Sequence, residues 1–194
     1  MHAALDAAGS AEILGLTPAQ VHDLSDRSLE QLVLGPGDFE IEGPDGEPFY
    51  DLDERNHLGD ARLLLGGFLL AGGISILCLA TVLVRWRDRS VAIWTVIRRA
   101  GLSTAVAVLL LGLISLVAFD SLFRLFHQVF FPGGNWAFDP DTQRLVQLFP
   151  FRFWQIAATA LGAFVLLLGL LAWLLGRWMS DQETDEPAPL STSG

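Results

Sequence analysis

The chain has 194 residues, 52% of them hydrophobic, and a mean hydropathy of +0.44. So apolar a chain has too little polar surface for an ordinary soluble domain, and its net charge of -10 argues against nucleic acid as a partner. The single cysteine, Cys78, leaves no intrachain disulfide and no cysteine-based metal site.

Residues 1–62 form an acidic segment, with 14 carboxylates against 3 arginines. Within it, "TPAQVHDLSDRSLEQLVL" (17–34) predicts a helix. Thr17 is its N-cap, Pro18 its first position, and Val21, Leu24, Leu32 and Val33 recur at helical spacing before Gly35 and Gly37 end it. His22 falls on the polar side and reads as a solvated residue. "FEIEGPDGEPFY" (39–50) has a Pro-Asp-Gly turn between two apolar groups, which predicts a small hairpin or loop. "DLDERNHLGDARLLL" follows, with Asp53 placed to cap a helix that runs into the first of three uncharged segments, 63–84. Glu54, His57 and Asp60, spaced i, i+3, i+6, fan over one side of that helix.

Residues 85–99, "RWRDRSVAIWTVIRR", are expected to be a loop carrying five arginines and one aspartate. The second and third uncharged segments are 100–119 and 153–176. Each of the three matches the roughly 20 apolar residues a spanning helix requires. The predicted fold is therefore an all-α, polytopic helical membrane protein with three spans in this chain and a small extracytoplasmic helical segment. The second helix is expected to continue past Phe119 as "DSLFRLFHQVFF" and to end before Pro132. Leu122, Phe123, Phe126, Val129 and Phe130 fall on one face of it; Asp120, Arg124 and His127 follow i, i+4, i+7 on another. "FPGGNW" turns the chain, Trp136 and Phe138 are interfacial anchors, and "LVQLFPFRFW" leads into the third span.

Positive charge in a short loop marks the cytoplasmic side. The 85–99 loop then lies inside, residues 1–62 and the 120–152 loop outside, and 177–194 form a polar, disordered cytoplasmic tail. An acidic segment of about 60 residues crosses the membrane in this topology without a signal peptide before it. That predicts a fourth span upstream of Met1. Both His57 and His127 lie at the outer interface, where an ionisable group is a functional hypothesis by default.

Read in order, "FYDLDERNHLGD", "HQVFFPGGNWAFDP" and "LFPFRFW" resemble the lipoprotein intramolecular transacylase (Lit) family and the uncharacterised bacterial integral membrane proteins around it. The resemblance runs from about Leu16 to Trp173 and implies four spans with both termini inside. It implies a bacterial cell membrane location and a diacylglyceryl lipoprotein substrate in the outer leaflet. The implied reaction moves the sn-2 acyl chain of that substrate to the α-amine of its N-terminal cysteine. The family's two essential histidines fall on His57 and His127.

Such an ester-to-amide shift needs a base for an amine whose pKa is about 7.7–8.0, and histidine suits that task near neutral pH. The oxyanion and the leaving alkoxide need donors, which the second histidine, Arg124 or Asn135 could supply. Glu54 or Asp60 could orient His57. Phe123, Phe126, Phe130, Phe131 and Trp136 could shape an acyl groove or anchor the interface. No cofactor is called for.

Two other readings stay open on these residues. One is a two-histidine, one-carboxylate metal site with Glu54, Asp60 or Asp120. The other is a non-enzymatic membrane scaffold or sensor with an acidic outer domain. A proton-coupled transporter fits less well, because no charge lies within the three spans.

Overall fold

The structure, a computed structural model, describes residues 1–35, 37–86 and 90–184. Among the described residues seven helices are formed: α1 (His2–Ala8), α2 (Ser10–Leu14), α3 (Pro18–Val33), α4 (Leu52–Arg85), α5 (Ser90–Phe130), α6 (Arg144–Leu148) and α7 (Phe151–Thr184). Three of them, α4, α5 and α7, are long and apolar enough to cross a membrane. The chain is a multi-pass membrane protein.

The long helices outrun the uncharged segments that announced them. At 41 residues α5 would extend about 60 Å, twice the ~30 Å hydrocarbon thickness. Its first turns, from Ser90 to Arg99, occupy most of the expected 85–99 loop. The arginines there end the uncharged run but are good helix formers. Arg87, Asp88 and Arg89 lie outside the described residues. The expected disordered tail is likewise helical from Arg177 to Thr184, since no glycine or proline interrupts the chain before Pro187. Residues 185–194 lie outside the described residues. Helical geometry in α5 breaks once, at Ala118 (φ -133°, ψ 23°), just before Asp120.

The chain divides into two compact units. The first comprises residues 1–74 and 117–160. Its core includes Leu5, Val21, Leu24, Phe39, Tyr50 and Leu148, all at most 2% exposed. Thr17 and Gln20 form a reciprocal capping box at the start of α3, with Pro18 just inside. Val33 is 48% exposed, although it keeps helical spacing with the buried Val21 and Leu24. Residues 41–49 make a minimal hairpin: Glu42 and Pro48 pair, the Phe49 amide donates to the Ile41 carbonyl at 2.7 Å, and Gly46 takes φ 83° in the turn.

His22 is not the solvated residue expected. Its ring stacks on His2 of α1 with centroids 4.0 Å apart, and its Nε2 bonds Asp6 at 2.8 Å while the Nε2 of His2 bonds Asp26 at 2.8 Å.

The second unit comprises residues 75–116 and those from 161 on. In it α5 and α7 touch backbone to backbone. A Cβ placed on Gly101 would lie 2.6 Å from the carbonyl oxygen of Gly169, and one on Gly176 would lie 2.6 Å from the amide nitrogen of Arg98. Small residues at such crossings let membrane helices gain packing where no hydrophobic force separates lipid from protein.

Candidate active site

The residues singled out around His57 and His127 all lie in the first unit. The helix α4 begins with a reciprocal cap: Asp51 Oδ1 accepts from the Glu54 amide at 2.8 Å, and Glu54 Oε2 accepts from the Asp51 amide at 2.7 Å. The capping residue is therefore Asp51, not Asp53. This box starts the helix one turn before His57. From α5, His127 arrives in the last turn of a helix that ends at Phe130, two residues before Pro132.

The two imidazoles meet. Their centroids are 5.9 Å apart and their planes are inclined by 24°. Aromatic rings surround them. His57 packs on Phe131 at 4.6 Å and on Phe138 at 5.4 Å. His127 packs on Phe123 at 4.3 Å and on Trp136 at 5.1 Å. They share a cavity of about 500 Å³ whose lining is mostly apolar and includes Leu29 and Leu32 of α3 and Phe151 and Trp154 of α7.

The histidines differ in their partners. The Nδ1 of His127 lies 2.8 Å from the carbonyl oxygen of Phe123. A carbonyl only accepts, so Nδ1 carries the proton and Nε2 keeps its lone pair in the neutral ring. His57 is 9% exposed, and its Nδ1 is buried with no protein partner. Both rings lie outside the uncharged runs 63–84 and 100–119. Burial, and secondarily the nearby His127, pushes the pKa of His57 down to about 4, against a weaker upward pull from Asp60. Burial also lowers that of His127, opposed by the bond to Phe123. Both are neutral imidazoles at neutral pH.

The other candidates are placed as follows. Glu54 makes no hydrogen bond to His57; its two oxygens accept from backbone amides. It is 1% exposed, and its Oε1 accepts from the Leu145 amide at 2.6 Å, so it clamps α6 to α4. Asp60 sits one turn past His57, and its Oδ2 accepts from Asn135 Nδ2 at 2.9 Å. One of Asn135's two N–H donors is thereby committed. Arg124 lines the cavity and is ion-paired with Asp120, one turn earlier on α5. Phe123 and Trp136 line the cavity; Phe131 is buried against His57; Phe126 and Phe130 are each 41% exposed. Among the described residues, no third His, Cys, Asp or Glu joins the histidines in a group able to hold a metal. Ser28 reaches the cavity wall, but its hydroxyl donates to the Leu24 carbonyl at 2.7 Å and pairs with Tyr50 at 2.8 Å, so it is not a free nucleophile.

Sequence reasoning missed the cavity's far wall, Leu29 and Leu32, which only the packing of α3 reveals. It also read Phe138 as an anchor. That the ring also packs on His57 was not foreseen, and its position two residues after Trp136 in the motif was the available signal.

Fold and site together define a helical membrane protein with a paired-histidine centre beside an apolar cavity. The sequence model of the family described as lipoprotein intramolecular transacylase Lit matches residues 26–154. That is well over half of the chain, and the chain belongs to this family. An uncharacterized protein of Aquifex aeolicus (strain VF5) is 28% identical over 125 residues, covering 63% of this chain and 54% of that protein. The chain thus spans about half the length of the curated relative it matches. The solved structure of the membrane integral lipoprotein intramolecular transacylase Lit from Bacillus cereus superposes with a TM-score of 0.79 at 17% identity, over 94% of this chain and 83% of that one. At that identity the likeness is one of fold.

Proposed function

We propose that this protein is an acyltransferase that rearranges diacylglyceryl lipoproteins within one molecule. It would move the sn-2 acyl chain to the α-amine of the N-terminal cysteine and leave an N-acyl, lyso-form lipoprotein. The observation that carries this reading is the juxtaposition of His57 and His127, 5.9 Å apart, at an apolar cavity where, among the described residues, no free serine, threonine or cysteine lies on the wall. Membership of the family supports it.

In this mechanism the amine nitrogen attacks the ester carbonyl carbon directly, so no covalent enzyme intermediate forms. As the C–N bond forms the nitrogen becomes acidic, and the bare Nε2 of His127 takes its proton. Neutral His57 can donate an N–H to the oxyanion without bringing a buried charge. Arg124 and the uncommitted N–H of Asn135 are further donors. When the C–O bond breaks, His127 returns the proton to the departing glyceryl oxygen. Donor ester and acceptor amine belong to one molecule, so positioning replaces a bimolecular encounter and can remove about 7 kcal/mol or more of barrier. The exposed leucines and phenylalanines around the cavity suit a lipid substrate entering from the outer leaflet.

The arginine-rich 85–99 segment supports placing both histidines on the extracytoplasmic side. In a Cys78→Ala background, a cysteine at Thr142 should react with an impermeant thiol reagent in intact cells, and one at Trp86 should not. The reaction itself is tested by expressing the gene product in a host that makes diacyl lipoproteins and analysing their N-terminal peptides by mass spectrometry. Wild type should yield the lyso form, and His57→Ala and His127→Ala should each lose about 10²–10⁴-fold at normal protein levels. No conversion by wild type would replace this reading with that of a non-enzymatic scaffold.

A further inference from the structure

A histidine that accepts a proton in a buried site becomes a cation that something must stabilise. In many histidine-dependent sites a carboxylate does so. Here, among the described residues, no carboxylate bonds either ring. Asp60 is engaged by Asn135, Glu54 by backbone amides, and Asp120 by Arg124.

What faces His127 is aromatic. Phe123, Trp136, Phe126 and Phe131 lie 4.3, 5.1, 5.4 and 5.5 Å from its centroid. We propose that the indole of Trp136 stabilises the imidazolium form of His127 by a cation–π interaction, in the part a carboxylate plays elsewhere. This inference rests on His127 acting as the base.

The indole is the strongest such partner among the side chains, and 5.1 Å is inside the ~6 Å reach of a cation to a ring face. The planes are tilted by 37°. Trp136 is fixed there by its neighbour, since Asn135 is tied to Asp60 on the helix that carries His57. The carbonyl of Phe123 accepts the Nδ1 proton in either charge state, so the ring need not turn when it is protonated. The charge-sensitive group is then a π face, which attracts the transient cation without adding a buried anion. A carboxylate in the same place would raise the basicity of the resting imidazole more strongly and would itself have to be desolvated. Trp136 forms no bond and takes no proton. The proton travels from the amine to Nε2 of His127 and on to the glyceryl oxygen, and the indole acts only on the charge that exists between those two events.

The test replaces Trp136 site-specifically with mono-, di- and trifluorinated tryptophans, which keep the ring's shape while weakening its negative face stepwise. Two quantities are read in the detergent-purified protein: turnover of a diacylglyceryl lipopeptide, and the titration of His127 followed by NMR, assigned against His127→Gln. The expected result is a stepwise fall in kcat, about tenfold over the series, with KM unchanged. The pKa of His127 should fall in parallel, and Trp136→Phe should be intermediate between wild type and Trp136→Leu. A fluorinated series with unchanged His127 titration and unchanged kcat, even if Trp136→Leu is impaired, would make Trp136 a packing residue and overturn the proposal. If no lipopeptide is turned over at all, the proposed function fails. The titration series then decides alone whether the indole interacts with the imidazolium.

Discussion

Asp60 and Asn135, 75 residues apart in sequence, are joined by a 2.9 Å hydrogen bond from Nδ2 to Oδ2. The bond ties the turn after α5 to the helix bearing His57. It places Trp136, the next residue, against His127 at 5.1 Å. Asn135→Ala and Asp60→Ala should therefore each lower turnover several-fold, the size of a net hydrogen bond of about 1 kcal/mol. The double variant should be no worse than Asn135→Ala alone, because the Asp60 change then has no link left to remove. Additive losses measured in the same assay would show that the two residues act separately.

Glu54 carries a different expectation. It is nearly fully buried, caps α4 and holds the amide of Leu145, so both its carboxylate oxygens are engaged away from His57. Removing it leaves the buried Leu145 amide without its acceptor, at about 1–3 kcal/mol, and uncaps the more accessible Asp51 amide. Glu54→Ala should lower the unfolding temperature in detergent markedly, whereas Glu54→Gln should keep much of it through its carbonyl oxygen. Activity per folded molecule should hold at permissive temperature. A large fall in kcat with no change in stability would mean that Glu54 takes part in the chemistry.

The depressed pKa of His57 makes a prediction about pH. The ring is neutral above about pH 4, so it does not titrate across the physiological range. The acid limb of kcat/KM should follow a group near 7.7–8.0, the substrate's α-amine. Stability should respond too. The unfolded chain takes up a proton at this site near 6.5 and the folded one near 4, so folding stability falls as pH drops through that window and levels off above it. His57→Gln should flatten that part of the stability profile measured by thermal unfolding.

In the second unit, α5 and α7 depend on glycine. A Cβ at Gly101 or Gly176 meets backbone atoms at 2.6 Å, which no side-chain movement relieves. Gly101→Leu and Gly176→Leu should each reduce thermal stability by several degrees. The same change at Gly133, where a Cβ meets nothing within 4 Å, should not. Equal losses at all three positions would deny that the close crossing matters.

Much of this architecture was legible because its signals are local. The three uncharged runs announced the membrane helices, Thr17 and Pro18 announced the start of α3, and the stripe Asp120, Arg124, His127 turned out to line the cavity. The ends of the helices were less legible. Arg98, Arg99 and Arg177 end an apolar run without ending a helix, so a reading based on charge stopped too soon at both places. Partners distant in sequence were not legible at all. Glu54 looked like an orienting group for His57 because the two share a helix face, yet its second oxygen is claimed by Leu145, 91 residues away. His22 looked solvated because nothing in its own helix announces His2. The pairing of His57 with His127 was anticipated from the interface position of both. The 5.9 Å approach itself depends on how α4 and α5 pack.

The most direct test uses purified protein and a synthetic diacylglyceryl lipopeptide whose sn-2 acyl chain alone is deuterated. The account predicts that the label moves to the α-amine of the cysteine while the intact mass of the lipopeptide stays the same. His57→Ala and His127→Ala should abolish the transfer, and mixing with unlabelled lipopeptide should not scramble the label. A label that stays on the glyceryl group with wild-type protein, or that moves at the wild-type rate with both histidines replaced, would contradict it.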